Sequence, residues 1–265
     1  MEATEHYWLA LFSFLDEQGY FVHVINPIQT DGWWRGTEIC KRKNDSIDSV
    51  LIADLIRYGS FNDTSLADKT IFSLRQLTRY RSYLVGTADG FKRKIIAVLD
   101  QVFPEYETVF SKVSLFGKAS KAVLSEFSSP DEFNQVSAET LAEILKQTSH
   151  NSVGLIKAES LKAAASQSFG IRFAQEEFTF QLRSMIDQLC FLEEQIKQTE
   201  NEIEQLMTSL HSVIVTISGI GTITGATILS EIATSIDPRI LKNWLPMREL
   251  TPLLLNLDSM KLRIK

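Results

Sequence analysis

Three acidic side chains near the start of the chain have the types and spacing that could hold a divalent metal. Glu2 stands among the first residues, and Asp45 and Asp48 lie three positions apart around the expected start of a helix. This i, i+3 spacing places both aspartates on one side of a helical turn, where two carboxylates can share a cation. Such a cluster supports phosphodiester cleavage, because metal ions neutralise charge on the attacking and leaving oxygens. The same spacing also fits a helix N-cap followed by a solvated acid.

A second group of residues has the chemistry of a nucleic-acid surface. Between residues 75 and 94, basic side chains stand against one acid, Asp89. The basic residues are Arg75, Arg79, Arg81, Lys92, Arg93 and Lys94. Tyr80, Tyr83 and Phe91 are interleaved with them, a pattern that could contact phosphates and stack on unpaired bases. The alternative is a solvated helix face whose aromatic side chains point into a core.

A glycine pair forms the third candidate. Gly219 and Gly221 lie within an isoleucine-rich segment, residues 217–226, just before an expected helix. This arrangement favours a tight turn between helices, and such a turn can leave backbone N–H groups available to a phosphate. An ordinary helix–helix turn is the alternative.

Helices are expected to carry most of these candidates. Apolar periodicity predicts them over residues 5–17, 46–58 and 66–103. Gly19 is the expected stop of the first helix. The third is expected to break or kink near Gly86 and Gly90 and to end at Pro104.

One strand and one loop are expected between the first two helices. Residues 20–25 are rich in β-branched and aromatic side chains, which predicts a strand that ends at Asn26-Pro27. A loop containing Gly32 and Gly36 is expected to follow.

A heptad stripe runs through residues 178–210. Its apolar members are Phe178, Leu182, Met185, Leu189, Leu192, Ile196, Ile203, Leu206 and Leu210, with Thr199 at one polar position. A pattern sustained for over four repeats predicts a long helix. The helix could pack on its own domain, or form a coiled coil between two chains or between two helices of one chain.

Composition restricts the class of protein. A net charge of −6 argues against coating nucleic acid through bulk positive charge, although a local basic groove stays compatible with it. Cys40 and Cys190 lie far apart, which disfavours a disulfide framework or a zinc site and favours a reducing compartment. No apolar run reaches the ~18–20 residues of a membrane span, and the first residues lack the features of a secretory leader. A soluble cytoplasmic protein without a membrane partner is expected.

Several short motifs together resemble the DEDD-type transposases of insertion sequences. They are Glu2-Ala3-Thr4 with His6-Tyr7-Trp8, then Val24-Ile25-Asn26-Pro27, then Lys41-Arg42-Lys43-Asn44-Asp45-Ser46-Ile47-Asp48. The resemblance covers about residues 1–236 and implies an α/β portion followed by mostly α structure. The implied domains are an incomplete RuvC-like (RNase H-type) domain over 1–105, a helical linker and coiled coil over 106–212, and the start of a helix-hairpin-helix-like C-terminal transposase domain over 213–240.

The resemblance also implies an activity, DNA transposition by recombination. Members use four RuvC-type acids with Mg²⁺ and a serine nucleophile in the C-terminal domain, and some are guided by a structured RNA. Glu2 matches the motif glutamate, and Asp45 and Asp48 match the final two aspartates, so these three are the expected catalytic and metal-binding residues. DNA, a guide RNA and a second copy of the chain, paired through the coiled coil, are the expected partners.

Two departures from the family pattern imply a fragment that no longer catalyses. The family's first aspartate precedes the motif glutamate, whereas this sequence starts at Met1-Glu2. After about Ile236 the pattern also stops, and Ser259 has no matching surroundings. Residues 241–265 are expected to be an out-of-frame tail, because reading one base earlier permits a Gln-Ser-Gly that would carry the serine.

Two alternative functions stay open. One is a non-catalytic interaction protein that dimerises with the intact transposase and inhibits it. The other is an independent hydrolase in which Asp31 or Asp54 replaces the missing acid.

Overall fold

The computed structural model describes residues 1–4, 6–37, 45–59, 61, 69–111, 114–148 and 154–232. Across these residues the chain is mostly helical. The α-helices are α1 (Tyr7–Glu17), α2 (Pro27–Thr37), α3 (Asp45–Tyr58), α4 (Lys69–Val102), α5 (Tyr106–Val109), α6 (Lys118–Glu126), α7 (Pro130–Gln135), α8 (Ala138–Thr148), α9 (Gly154–Ser166), α10 (Gln175–Leu210) and α11 (Thr222–Ile232). A 3₁₀ turn spans Val213–Thr216.

The chain forms two compact units, which are described separately. The first takes Met1–Ser73, Ser212–Ile220 and the described residues from Ile228 onward. The second takes Leu74–His211 and Gly221–Thr227. No helix of the described part combines the length and apolar character that crossing a bilayer requires.

The first helix ends where the sequence predicts. Gly19 adopts a positive φ of 79°, and the Tyr20 N–H donates to the Leu15 carbonyl at 3.0 Å, an arrangement typical of a glycine-terminated helix. None of the residues of α1 is fully buried. The predicted stop at Gly19 is confirmed.

The strand predicted over residues 20–25 is reduced to one isolated parallel bridge between Glu2 and Ile25. The Ala3 N–H donates to the Ile25 carbonyl at 2.9 Å, and the Ile25 N–H donates to the Met1 carbonyl at 2.8 Å. The helix α1 connects the two paired segments, as a parallel pairing requires. Within the described residues no sheet forms, so the mostly helical part of the expected fold is confirmed and the RuvC-like architecture stays a prediction.

The loop predicted around Gly32 and Gly36 is wrong, because these residues lie in α2. Pro27 occupies the first helical position, where its fixed φ suits a helix. The Asn26 Oδ1 accepts from the Ile28 N–H at 2.9 Å and acts as a cap. Asp31 and Arg35, one turn apart, form an ion pair at 2.6 Å. These local interactions offset the low helix propensity of the two glycines.

The break predicted near Gly86 and Gly90 is also wrong, because α4 is one helix of 34 residues. After the glycines, Ile95 and Leu99 of α4 belong to the core of the second unit. Before them, Leu84 is buried at 4% exposure. The predicted end is confirmed: α4 stops at Val102, two residues before Pro104.

The core of the second unit draws on α4 through α10. Phe103, Tyr106, Phe110 and Phe133 form an aromatic group, in which neighbouring ring centroids are 5.1–6.2 Å apart. Burial raises the pKa of the Tyr106 hydroxyl far above its ordinary value, and that hydroxyl lies 3.0 Å from the Ser120 Oγ.

The heptad stripe of α10 packs within this unit. Leu182, Met185 and Leu189 belong to the buried core, and Leu192 and Ile196 pack against it. Helix α10 runs antiparallel to α4, because Glu200 contacts Arg81 and the Ile171 N–H, just before α10, donates to the Gln101 carbonyl. The stripe therefore packs within the chain over these residues, and a coiled coil stays a prediction.

Candidate metal site and nucleic-acid surface

Glu2 is held at the start of the first unit by its backbone and its side chain. Its backbone pairs with Ile25, and its Oε1 accepts a hydrogen bond from the hydroxyl of Thr30 at 2.7 Å. Thr30 lies on α2, is buried, and is also 2.8 Å from the Pro27 carbonyl. The carboxylate of Glu2 is therefore oriented by a neutral donor on the next helix. Sequence reasoning missed Thr30, because its distance of 28 residues from Glu2 gives no local signal.

The two aspartates lie on the first turn of α3. Asp45 is the first residue of that helix, and Asp48, three residues later, is half-buried. The expectation that both stand at the helix entry is confirmed, while the side chain of Asp45 lies outside the described residues. Helices α2 and α3 pack against one another, so Thr30 and Asp48 lie on neighbouring elements of one unit.

The described residues contain no group of three histidine, cysteine or acidic side chains that could hold a metal ion. Carboxylates are the donors that Mg²⁺ prefers, so the chemistry of Glu2, Asp45 and Asp48 fits the ion, whereas their assembly into one site stays a prediction. No catalytic step is assigned to a metal on this basis.

The two acids considered for an independent hydrolase have other partners. Asp31 forms an ion pair with Arg35 at 2.6 Å, and Asp54 lies 3.8 Å from Arg57. Both pairs connect neighbouring turns of exposed helices, which is the ordinary role of a surface acid. A cleft of about 510 Å³ along α2 is lined by Asp31 and Arg35 together with Pro27, Ile28 and Gly32. Neither aspartate therefore supports the hydrolase alternative.

The basic residues of the predicted nucleic-acid surface lie on α4 and fall into two groups. Arg81 donates from Nε and Nη2 to Glu200 Oε1 at 2.7 Å, and Lys92 contacts Asp89 at 3.2 Å. These two cations are partly neutralised within the unit. Arg93 and Lys94 are exposed. Arg79 is exposed and Arg75 half-buried, and both have interactions within the chain. The structure thus leaves a smaller cationic surface than the number of basic residues in the sequence suggests.

The aromatic residues between these cations also differ. Phe91 packs against the core, as the alternative interpretation expects. Tyr80 and Tyr83 are 47% and 67% exposed, and their rings are stacked with centroids 6.5 Å apart and an interplanar angle of 21°. Two tyrosines are therefore presented to solvent beside the exposed basic residues.

Gly219 lies in a turn, as the sequence predicts. Its φ is +87°, a conformation that glycine adopts without strain, and the Ile220 N–H donates to the Ile217 carbonyl at 3.0 Å. Gly221 immediately precedes α11, and its carbonyl accepts from the Gly225 N–H at 2.8 Å. Phosphate binding by this turn stays a prediction.

Residues 1–104 match a transposase family, the DEDD transposases of the IS110 type. The matched part includes Glu2, Asp45 and Asp48 and the whole of α4. No curated protein matches the chain. Over these residues the chain is similar to the transposases of insertion sequences. Members of this family generally use a divalent metal.

Proposed function

We propose that this chain, whose residues 1–104 match the DEDD transposases of the IS110 type, derives from an insertion-sequence DNA transposase and binds nucleic acid but does not itself recombine DNA. The observation that carries the proposal is the family match over a segment that ends with α4, the helix that presents exposed cations. A DNA transposase must hold its substrate, and phosphate contacts supply most of the sequence-independent affinity.

The charge distribution supports binding through α4. The whole chain has a net charge of −6, so bulk attraction to DNA is absent. Arg93 and Lys94 lie exposed on one helix, where local potential rather than net charge decides contact with a polyanion. Glu200 already pairs with Arg81, and Asp89 lies beside Lys92, so these two basic residues contribute less to the positive potential of α4.

The sequence around the serines supports the absence of catalysis. Glu2, Asp45 and Asp48 match three acids of the family's RuvC-type set. No serine of the 265 residues stands in a sequence that matches the family's nucleophile motif. When bound, a metal would neutralise charge on the phosphate oxygens.

The tail after about Ile236 supports the same proposal at the level of the gene. A reading frame one base earlier permits a Gln-Ser-Gly, the sequence in which the nucleophilic serine of the C-terminal domain would stand. A frameshift near residues 236–243 therefore accounts for the loss of the family pattern. Sequencing the locus tests this part: nucleotides that cannot encode Gln-Ser-Gly in that frame would rule the frameshift out.

The alternative of an inhibitor that pairs with the intact transposase loses its main surface. That alternative used the heptad stripe to join two chains. Leu182, Met185 and Leu189 of the stripe are buried in the core of the second unit, so these residues are engaged within the chain and are not available to join two chains.

The test measures binding and chemistry on the full chain in the same solution. Labelled DNA is incubated with the protein and Mg²⁺, and the products are resolved by native and denaturing electrophoresis. The proposal predicts a shifted band on the native gel and uncut, unjoined strands on the denaturing gel. Cleaved or joined strands would contradict the absence of catalysis.

A matched pair of variants locates the binding. Arg93→Ala with Lys94→Ala should weaken binding at least several-fold, because two exposed cations of α4 are removed. Arg172→Ala with Lys197→Ala removes the same charge from exposed positions elsewhere in the second unit and should change binding less than about twofold. Equal losses in both variants would show that net charge, not α4, governs binding.

A further inference from the structure

One exposed face of α4 combines stacked aromatic rings, bare backbone and cations. Tyr80, Tyr83, Gly86, Gly90 and Arg93 follow steps of three and four residues, which place them along one side of a helix. From Tyr83 to Lys94 this α4 outer face extends ~17 Å at the rise of an α-helix. The stacked tyrosines lie at its N-terminal end, and the cations lie at its C-terminal end.

Among the residues that the structure describes, the two glycines of this face have no packing role. A Cβ added at Gly86 would meet nothing within 4 Å, and one added at Gly90 would lie 4.0 Å from the end of the Arg93 side chain. Neither position has a positive φ that would require glycine. Glycine lowers helix propensity relative to alanine, so both residues weaken α4 without improving its packing. Gly86 is exposed and Gly90 is half-buried beside the Arg93 side chain, so neither position places a side chain between the tyrosines and the cations.

The stacked tyrosines of this face are exposed to solvent. Large aromatic side chains are ordinarily buried or placed at interfaces, yet Tyr80 and Tyr83 are exposed and lie nearly parallel to each other. Parallel exposed rings offer a surface on which flat aromatic groups can stack. A ligand that matches the tyrosines, the cations and the glycines carries aromatic rings, negative charge and a backbone that can lie close to the helix.

We propose that the α4 outer face binds an unpaired strand of nucleic acid. The bases stack on Tyr80 and Tyr83, the sugar-phosphate backbone passes over Gly86 and Gly90, and Arg93 and Lys94 contact its phosphates. Intact duplex cannot use the tyrosines, because its base faces are covered by neighbouring bases, whereas each base of a single strand has an accessible π face. This inference rests on the proposed function and narrows its ligand from nucleic acid in general to single strands.

The test compares a single strand with a duplex of equal length on the full chain. Fluorescence anisotropy is measured with a labelled, unstructured strand of about 20 nucleotides, longer than the ~4–16 nucleotides that one single-strand-binding fold covers, and with its duplex. Tyr80→Leu with Tyr83→Leu should raise the Kd for the strand at least about tenfold, because the bases can no longer stack on aromatic rings. The Kd for the duplex should change less than about twofold.

A glycine variant and an aromatic control complete the experiment. Gly86→Gln with Gly90→Gln should weaken strand binding, because the added side chains occupy the path of the strand. The same variant should raise the thermal midpoint of unfolding, because glutamine has a higher helix propensity than glycine. Phe173→Leu with Phe180→Leu removes two other exposed aromatic rings of the same unit and should leave the Kd unchanged. Unchanged strand binding in the glycine variant would contradict the passage of the strand over the bare backbone.

Two outcomes separate this inference from the proposed function. If the tyrosine variant binds strand and duplex as the wild type does, or is weakened equally toward both, the stacking surface is wrong. Sensitivity to Arg93→Ala with Lys94→Ala would in that case still support nucleic-acid binding through α4. If the wild-type chain binds neither ligand, both proposals fail.

Discussion

Gly170 lies against the C-terminal end of α4, where a side chain cannot fit. A Cβ at this position would lie 2.0 Å from the Val102 carbonyl oxygen and 2.6 Å from its carbonyl carbon. The loop is held there by the Ile171 N–H, which donates to the Gln101 carbonyl at 2.9 Å, and by Ser168, whose hydroxyl donates to Glu105 at 2.6 Å. Because the obstacle is backbone, a rotamer change cannot relieve the clash.

Gly170→Ala should therefore destabilise the protein. Overpacking typically costs ~1–3 kcal/mol, and this clash is at the severe end because the loop must move away from α4. Urea unfolding followed by circular dichroism measures the change. Gly86→Ala is the matched control and should stabilise the protein by ~0.5–1 kcal/mol, since its Cβ meets open space in a helix interior. A Gly170→Ala protein as stable as the wild type would contradict the close approach.

Cys190 gives a pH-dependent prediction at the same scale. Burial raises the pKa of its thiol above the ordinary value; Lys121 opposes this shift, and Glu193 and Asp187 add to it. The thiolate is the reactive form, so a raised pKa lowers its fraction at pH 8. In a Cys40→Ser background, iodoacetamide should react more slowly at pH 8 than it does with a cysteine peptide. The rate should rise through a midpoint above that of the peptide. A midpoint at or below the peptide's would contradict the burial effect.

At the scale of elements, the orientation of α10 is the feature most open to test. Leu189 is 0% exposed and Phe191, two residues later, is 65% exposed. The larger side chain therefore lies on the outer face, and the smaller one is part of the core. From hydrophobic size alone, Phe191 would be expected in the core and Leu189 on the outer face.

Leu189→Ala should cost ~2–5 kcal/mol in the free energy of unfolding, the usual range for a buried leucine. Phe191→Ala should change it by less than ~0.5 kcal/mol, as expected for an exposed position without partners in a core. The same urea titration measures both variants. If Phe191→Ala proved the more destabilising change, α10 would present the opposite face, and the heptad stripe would be available to a partner.

The same elements show how far the sequence could predict the fold. The heptad stripe, the stop at Gly19 and the end before Pro104 were predictable, because periodicity and backbone chemistry act over a few residues. The loop assigned to Gly32 and Gly36 was wrong, since a proline start and an i, i+4 ion pair outweighed the glycines. The break at Gly86 and Gly90 was wrong: α4 buries Leu84 before the glycines and Ile95 and Leu99 after them, and such tertiary burial outweighs the low helix propensity of glycine.

The sequence predicted correctly that Asp45 and Asp48 stand at the start of α3, whereas the assembly of Glu2, Asp45 and Asp48 into one site stays a prediction. The partners Thr30 of Glu2 and Glu200 of Arg81 lie 28 and 119 residues away along the chain. Tertiary packing sets such contacts, so local sequence patterns carry no signal for them.

At the scale of the whole molecule, charge and function have to be reconciled. The chain has a net charge of −6, and a polyanion would be repelled at long range unless salt screened the field. A local surface on α4, where Arg79, Arg93 and Lys94 are exposed, reconciles the two. Binding should therefore depend on a few neutralised phosphates, and its salt dependence should reveal how many.

The salt dependence of nucleic-acid binding by the full chain tests binding through α4 most directly. Kd for a labelled single strand is measured by anisotropy over a series of KCl concentrations, for the wild type and for Arg93→Ala with Lys94→Ala. Affinity should fall as salt rises, and the variant's log–log slope should be shallower by ~1.4, or ~0.7 for each phosphate that the variant no longer neutralises. Wild-type protein that shows no binding at low salt, or a variant with the same affinity and slope, would contradict binding through α4.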